Sequence, residues 1–219
     1  MSPKVGMRPV RREQIVRATV RCLARQGYRR LTMKDLAREA HVSQGILHYY
    51  FTDKQAILAA AFRAVTAALN RRVAIAQARG ARDPRSRLRA VIGACFQAAV
   101  EEREHWIVFL QFWSEMLHDR ELRGINAALY ETSRSQLAEL ITSGIRAGTF
   151  REVNARHAAA VILGLVDGIS LQLTFDDTFS VAAAVRFCDA ALMRYLGTRS
   201  RTFGSPRGIS EERKGDRHG

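Results

Sequence analysis

The sequence predicts an all-α chain of about nine helices, with a small N-terminal unit of three helices ahead of a larger helical body. Three observations lead there. Apolar residues recur at helical spacing along almost all of the 219 residues, and strand-like alternation is hardly found. Turn signals such as Gly27, Gly80–Pro84 and Gly148 fall at helix-length intervals. The basic charge is gathered at the front of the chain rather than spread over it.

Each helix has its own local reason. A first helix is expected over about Pro9–Gln26, with Pro9 in the first turn, Gly27 at the stop, and Ile15, Thr19, Cys22 and Leu23 facing inward. A short helix over about Met33–Ala40 follows Thr32, whose hydroxyl can cap it while Asp35 supports the first turn. Another starts at Ser43 and ends near Tyr50, and a long one runs from Lys54 to about Ala78. After the break, Pro84 opens a helix reaching about Arg103. The remaining helices are expected at Glu104–His118, Glu121–Ala147, Ala155–Phe175 and Ser180–Leu196. Residues 198–219 hold few large apolar groups, and disorder is expected there.

Composition bounds the function. With 47% hydrophobic and 26% charged residues the chain is neither disordered throughout nor fibrous. The formal charge of +14 points to a polyanionic partner. Residues 1–54 carry +8 and residues 55–89 carry +7, whereas residues 90–198 carry −4 and the tail +3. That division suggests a nucleic-acid-facing module joined to a body with another task. Three scattered cysteines, Cys22, Cys95 and Cys188, fit a reducing compartment, and a cytoplasmic, nucleoid-associated location is expected. The apolar stretch 158–175 carries Asp167, Ser170, Gln172 and Thr174, so it reads as a buried interface helix and not as a membrane span. Phosphate-loop, zinc-protease and nucleophile-elbow motifs are missing, and the six histidines are scattered. Neither catalysis nor a metal or cofactor is expected.

The sharpest local signal is TMKDLAREAHVSQGILHYYF at 32–51: two short helices around a turn at His41-Val42, with Ser43 set to cap the second. Leu36, Ala37, Val42 and Leu47 can face the first helix, which leaves Gln44, Gly45, His48 and Tyr49 outside. Such a face suits a reader of the major groove, although a plain three-helix bundle with a wet polar face would have the same spacing. Phe51 reads best as core, and Tyr50 could be core as well.

Residues 9–58 resemble the DNA-binding domain of TetR-family repressors. The resemblance rests on Thr32, Leu36, Ala37, Ala40, Val42, Ser43, Gly45, Tyr49, Tyr50, Phe51, Lys54 and Leu58. It implies a helix-turn-helix domain over residues 1–54, followed at 55–197 by a linking helix and a ligand-binding and dimerisation domain. It also implies that Lys34, Gln44, Gly45, Ile46 and Tyr49 meet base edges, while Thr32, His48, Tyr50 and Lys54 hold phosphates. Gln44 is chemically suited to adenine, and Ile46 to a thymine methyl. Lys4, Arg8, Arg11 and Arg12 form a basic arm that could add phosphate or minor-groove contacts. Where the family usually has glycine, at a turn that often needs positive φ, this chain has His41.

In the body, Trp106, Phe109, Leu110, Phe112, Trp113, Met116 and Leu117 fall within one broad helical arc. The arc could be core. Alternatively Trp106, Phe109, Phe112, Trp113, Met116 and Tyr130 could line an apolar or cation-binding pocket. Residues 90–196 resemble the BetI-like branch of the same family, through Phe112, Trp113, Met116 and His118 and through Asp167-Gly168. This resemblance implies a quaternary ammonium effector such as choline as one candidate, beside flat apolar or anionic ones. Asp167 could neutralise a ligand cation or pair with Arg186 or Arg194 across a helix interface, the second being preferred. Gly164, Asp167, Gly168, Ala183 and Ala191 are expected in a homodimer interface, where small residues let helices approach closely. The expected partners are therefore double-stranded operator DNA, a second copy of the chain and a small-molecule effector, with no membrane. A non-specific DNA-coating protein is the rival reading, with no use for the aromatic body.

Overall fold

The computed structural model describes residues 7–79 and 83–197. Among them lie nine helices and no strand: α1 (Met7–Gln26), α2 (Met33–Glu39), α3 (Gln44–Tyr50), α4 (Lys54–Arg79), α5 (Pro84–Glu101), α6 (Arg103–Glu115), α7 (Arg120–Arg146), α8 (Ala155–Phe175) and α9 (Val181–Leu196). The expected tail at 198–219 and Lys4 of the expected arm lie outside the described residues. Arg8, Arg11 and Arg12 fall within α1 instead of in an arm, and the Arg12 guanidinium sits 4.8 Å over the Phe51 ring. The aromatic helix stops three residues earlier than expected, at Glu115, and residues 116–118 form a turn.

The caps explain most boundaries. Thr32 accepts a hydrogen bond from the Asp35 backbone while the Asp35 carboxylate accepts one from the Thr32 backbone, a reciprocal box that starts α2. The Ser43 hydroxyl accepts from the Ile46 backbone and starts α3. Asp83, Asp119, Asn154 and Ser180 do the same for α5, α7, α8 and α9. Between α2 and α3, His41 takes φ 53°, in the left-handed region where glycine costs least.

Two cores divide the chain. The first is built by α1–α3 with the front half of α4, and includes Ile15, Leu23, Leu36, Leu47, Phe51 and Phe62, all buried. Thr19, facing inward as expected, returns its hydroxyl to the Ile15 carbonyl at 2.9 Å. Val108, Phe109, Phe112 and Met116 of the α6 region belong to this first core. The second core joins α5, α7, α8 and α9 around Phe96, Ile141, Phe150, Ile162 and Cys188. By length and composition α8 could cross a membrane, yet it buries Ala158, Ala159, Ile162, Val166, Ile169 and Leu173 in that core. Residues 57–62 of α4 are buried on every side, Gln55 and Arg63 flanking them are exposed, and the second half of the helix exposes Asn70, Arg71 and Ile75.

Candidate nucleic-acid interface and ligand cavity

Leu47 is the buried residue of α3, and its burial fixes which way the helix faces. Gln44, Gly45, Ile46, His48 and Tyr49 are consequently exposed, Ile46 at 42% and Tyr49 at 53%. Lys34 on α2 is exposed beside them. Tyr50 is half-buried and packs on the first core, with its ring edge-on to Tyr49 at 5.1 Å. The Thr32 hydroxyl is engaged with the Asp35 carboxylate at 2.6 Å, and Lys54 is half-buried in the first turn of α4. Glu39 anchors α2 to α1 by accepting from Arg21 at 2.9 Å and from Arg25. These hydrogen bonds hold the Glu39 carboxyl below the usual carboxylate range. The unit thus presents one solvent-facing helix on a stiff support, the shape that enters a major groove.

Deeper in the body, α4–α8 enclose a cavity of about 110 Å³. Its walls are mostly apolar: Val65, Leu69 and Val73 from α4, Val91 and Ile92 from α5, and Ile162, Leu163 and Val166 from α8. Of the six expected pocket residues, three line it: Trp106, Phe109 and Tyr130. The Trp106 and Phe109 rings stack at 5.4 Å and 16°, and the Trp106 indole N–H donates to the Thr174 hydroxyl, which fixes the ring. The other three lie elsewhere. Phe112 is fully buried in the first core against Phe62 at 4.8 Å. Met116 is buried in that core too, and together with Trp113 it borders a separate outer groove that touches Tyr130 from the far side. Leu117 is 73% exposed, so the broad apolar arc divides among cavity, core and surface.

Several cavity residues are polar and were not expected from the sequence. Glu102, at the break between α5 and α6, accepts from Arg72 at 2.8 Å and meets His105 Nδ1 at 3.1 Å. Burial opposes ionisation of Glu102, but these two partners outweigh it and hold its carboxyl low. Asp167 is the clearest departure from expectation. It lies on the cavity wall and not on the open face of α8, and Tyr130 donates to its Oδ2 at 2.6 Å; neither Arg186 nor Arg194 pairs with it. Burial raises the Asp167 carboxyl above its ordinary pKa, with the Tyr130 hydrogen bond acting the other way. Nearby, burial and the Asp167 charge push the Cys95 thiol up to about 12, which makes it inert. The signal for Asp167 was available: Leu163, Val166, Asp167 and Ser170 follow the i, i+3, i+4, i+7 spacing of one helical face, and all four line the cavity.

The open side of α8 and α9 has a different character. Gly164 and Gly168 are exposed, with nothing within 4 Å of where a Cβ would stand. Ala183 and Ala191 are half-buried, and Val161, Phe175 and Phe187 are 55%, 77% and 62% exposed. A single chain leaves this apolar face in water.

Residues 15–61 match the bacterial regulatory proteins of the tetR family, and residues 84–197 match the BetI-type transcriptional repressor C-terminal domain. The chain is 36% identical over 176 residues to the HTH-type transcriptional regulator BetI of Burkholderia ambifaria, covering 78% of this chain and 85% of that one. It is 32% identical to BetI of Paraburkholderia phytofirmans, over 90% of this chain and 99% of that one. Among solved structures, a putative transcriptional regulator from Saccharomonospora viridis, determined in complex with choline, superposes with a TM-score of 0.78 at 26% identity. That match covers 87% of this chain and 100% of the other. A putative regulator from Pseudomonas aeruginosa PAO1 superposes equally well, TM-score 0.78 at 25% identity, over 85% and 90% of the two chains.

Proposed function

Because the chain belongs to the TetR family of bacterial regulators, with a BetI-type C-terminal domain, we propose that it is a homodimeric, cytoplasmic repressor released from its operator by a small cation in the α4–α8 cavity. One observation carries the reading: the same helices build both sites. The front half of α4 buries Ile57, Leu58 and Phe62 beneath the helix-turn-helix, and its second half walls the cavity with Leu69, Asn70 and Val73. α6 supplies Trp106 and Phe109 to the cavity and grips α1 through Gln111, which donates to the Leu23 carbonyl at 3.1 Å, and the turn after α1 through Phe112, edge-on to Tyr28 at 5.5 Å. A ligand that fits one arrangement of α4 and α6 better than another therefore biases how the reading helix is held.

At the DNA, Gln44, Gly45, Ile46, Tyr49 and Lys34 read base edges, and Thr32, His48, Tyr50 and Lys54 hold phosphates. The exposure of Thr32, Lys34, Gln44, Gly45, Ile46, His48 and Tyr49 supports this, with Tyr50 and Lys54 half-buried. Two copies joined along the α8–α9 face, through Gly164, Gly168, Ala183 and Ala191, would set two such helices about 34 Å apart on a palindrome. For the effector, the stacked Trp106 and Phe109 rings with Tyr130 and Asp167 suit a quaternary ammonium group, and the choline bound by the Saccharomonospora viridis protein favours the same class.

The DNA half of the reading is tested by binding to a selected operator and to scrambled duplex. Gln44→Ala should lose about 1–3 kcal/mol of discrimination at one base position, whereas Lys54→Ala should weaken both duplexes alike. Equal losses on all sequences for both variants would favour the DNA-coating alternative.

A further inference from the structure

The cavity holds two carboxylates, and they are not equivalent. Glu102 is answered by Arg72 at 2.8 Å and by His105 at 3.1 Å, so its charge is already matched within the protein. Arg72 in turn is also held by Glu101. Asp167 has a hydroxyl for company and no cation among the described residues: Tyr130 donates to it at 2.6 Å. The Cys95 thiol of α5 feels the Asp167 charge, and the cavity wall around Asp167 carries neutral groups: Leu163 and Val166 from its own helix, Ser133 and Gln136 from α7, and Asn70 from α4. A carboxylate in such a wall is held at a cost that an arriving cation would remove.

We propose that Asp167 is the charge-selecting residue of this cavity, the single unanswered negative charge that makes the site specific for a monocation and closed to uncharged molecules of the same shape. The proposal rests on the reading that the cavity is the effector site, and adds to it which property of the effector is measured. Tyr130 keeps the carboxylate aimed and leaves its second oxygen to the ligand, while the Trp106 and Phe109 faces take the cation's remaining surface. A dication would leave one charge unpaired in an apolar wall, because Arg72 already occupies Glu102. A zwitterion carrying its own carboxylate would set that group against Asp167. Charge discrimination is therefore built from one residue, and shape discrimination from the rings.

Calorimetric titration of the full-length protein tests this with choline and its uncharged carbon isostere, 3,3-dimethylbutan-1-ol. The wild type should bind choline at least about tenfold more tightly than the isostere. In Asp167→Asn, which retains an acceptor for Tyr130, the ratio should collapse to about two- or threefold, the remainder being the attraction of the rings. Glu139→Gln, which removes an exposed carboxylate of α7 outside the cavity, should keep the wild-type ratio, and circular dichroism would show that both variants fold. The wild-type ratio needs no variant, so equal binding of the two alcohols overturns the proposal by itself and leaves the cavity as effector site. Full discrimination in Asp167→Asn overturns it too. If neither compound binds the wild type, the effector reading itself fails, and the proposal with it.

Discussion

Asp167, the residue we propose selects the effector's charge, also bears a cost to the fold. Burial lifts its carboxyl pKa, the Tyr130 hydrogen bond only partly opposing this, so the folded protein holds the proton more tightly than the unfolded chain does. The sign follows from linkage. Stability from this group is fully present below the unfolded value of 3.8 and is lost as pH rises through the higher folded value. Asp167→Asn should therefore melt at a higher temperature than wild type near neutral pH, and the difference should vanish on acidification. An unchanged difference across pH, measured by thermal denaturation, would mean that the carboxylate carries no burial cost. His41 is a second residue-scale compromise, since a non-glycine at φ 53° is strained at the turn that aims the reading helix. The capping residues Thr32, Ser43 and Asp35 were legible in the sequence because a cap is a local interaction. Asp167 shares one helical face with Leu163, Val166 and Ser170, which the sequence shows, but which neighbour that face meets depends on distant segments.

At the scale of elements, most helix limits lay within one to three residues of their local signals, and the faces were harder to assign. α6 is the instructive case. Its apolar residues are too many for one neighbour, so Trp106 faces the cavity, Phe112 enters the first core, and Phe109 sits between the two, buried in that core and lining the cavity. Angular position alone put them in a single arc. The same helix clamps α1 through Gln111 and the turn after α1 through the Arg29–Glu115 ion pair at 3.2 Å, a connection between segments 86 positions apart that no local pattern announces. At the other end of the body, α7 finishes against Phe150, which is 2% exposed. A Cβ on Gly144 would stand 2.1 Å from the Phe150 ring. Gly144→Ala should accordingly cost about 1–3 kcal/mol by overpacking, seen as a lower denaturation midpoint with an unchanged slope. An unaltered midpoint would show that Phe150 has room to retreat.

For the whole molecule, the charge asymmetry, +8 on residues 1–54 and −4 on residues 90–198, runs parallel to the two family matches at residues 15–61 and 84–197. It did not foretell how the parts are joined. The first core takes in α6, so the DNA-facing unit and the cavity share side chains and do not merely share a linking helix. The exposed Phe187, Val161 and paired glycines of α8–α9 are what a second copy would cover, and a dimer would turn a small change in α4 and α6 into a change in the spacing of two reading helices. The central claim is that cavity and operator are coupled through these helices. The measurement that meets it most directly is operator affinity by fluorescence anisotropy, at fixed salt, with and without saturating choline. Coupling of the usual size weakens operator binding at least about fivefold, an effect that Asp167→Asn should largely abolish at the same choline concentration. Operator affinity that stays the same while calorimetry shows the cavity filled would contradict the account.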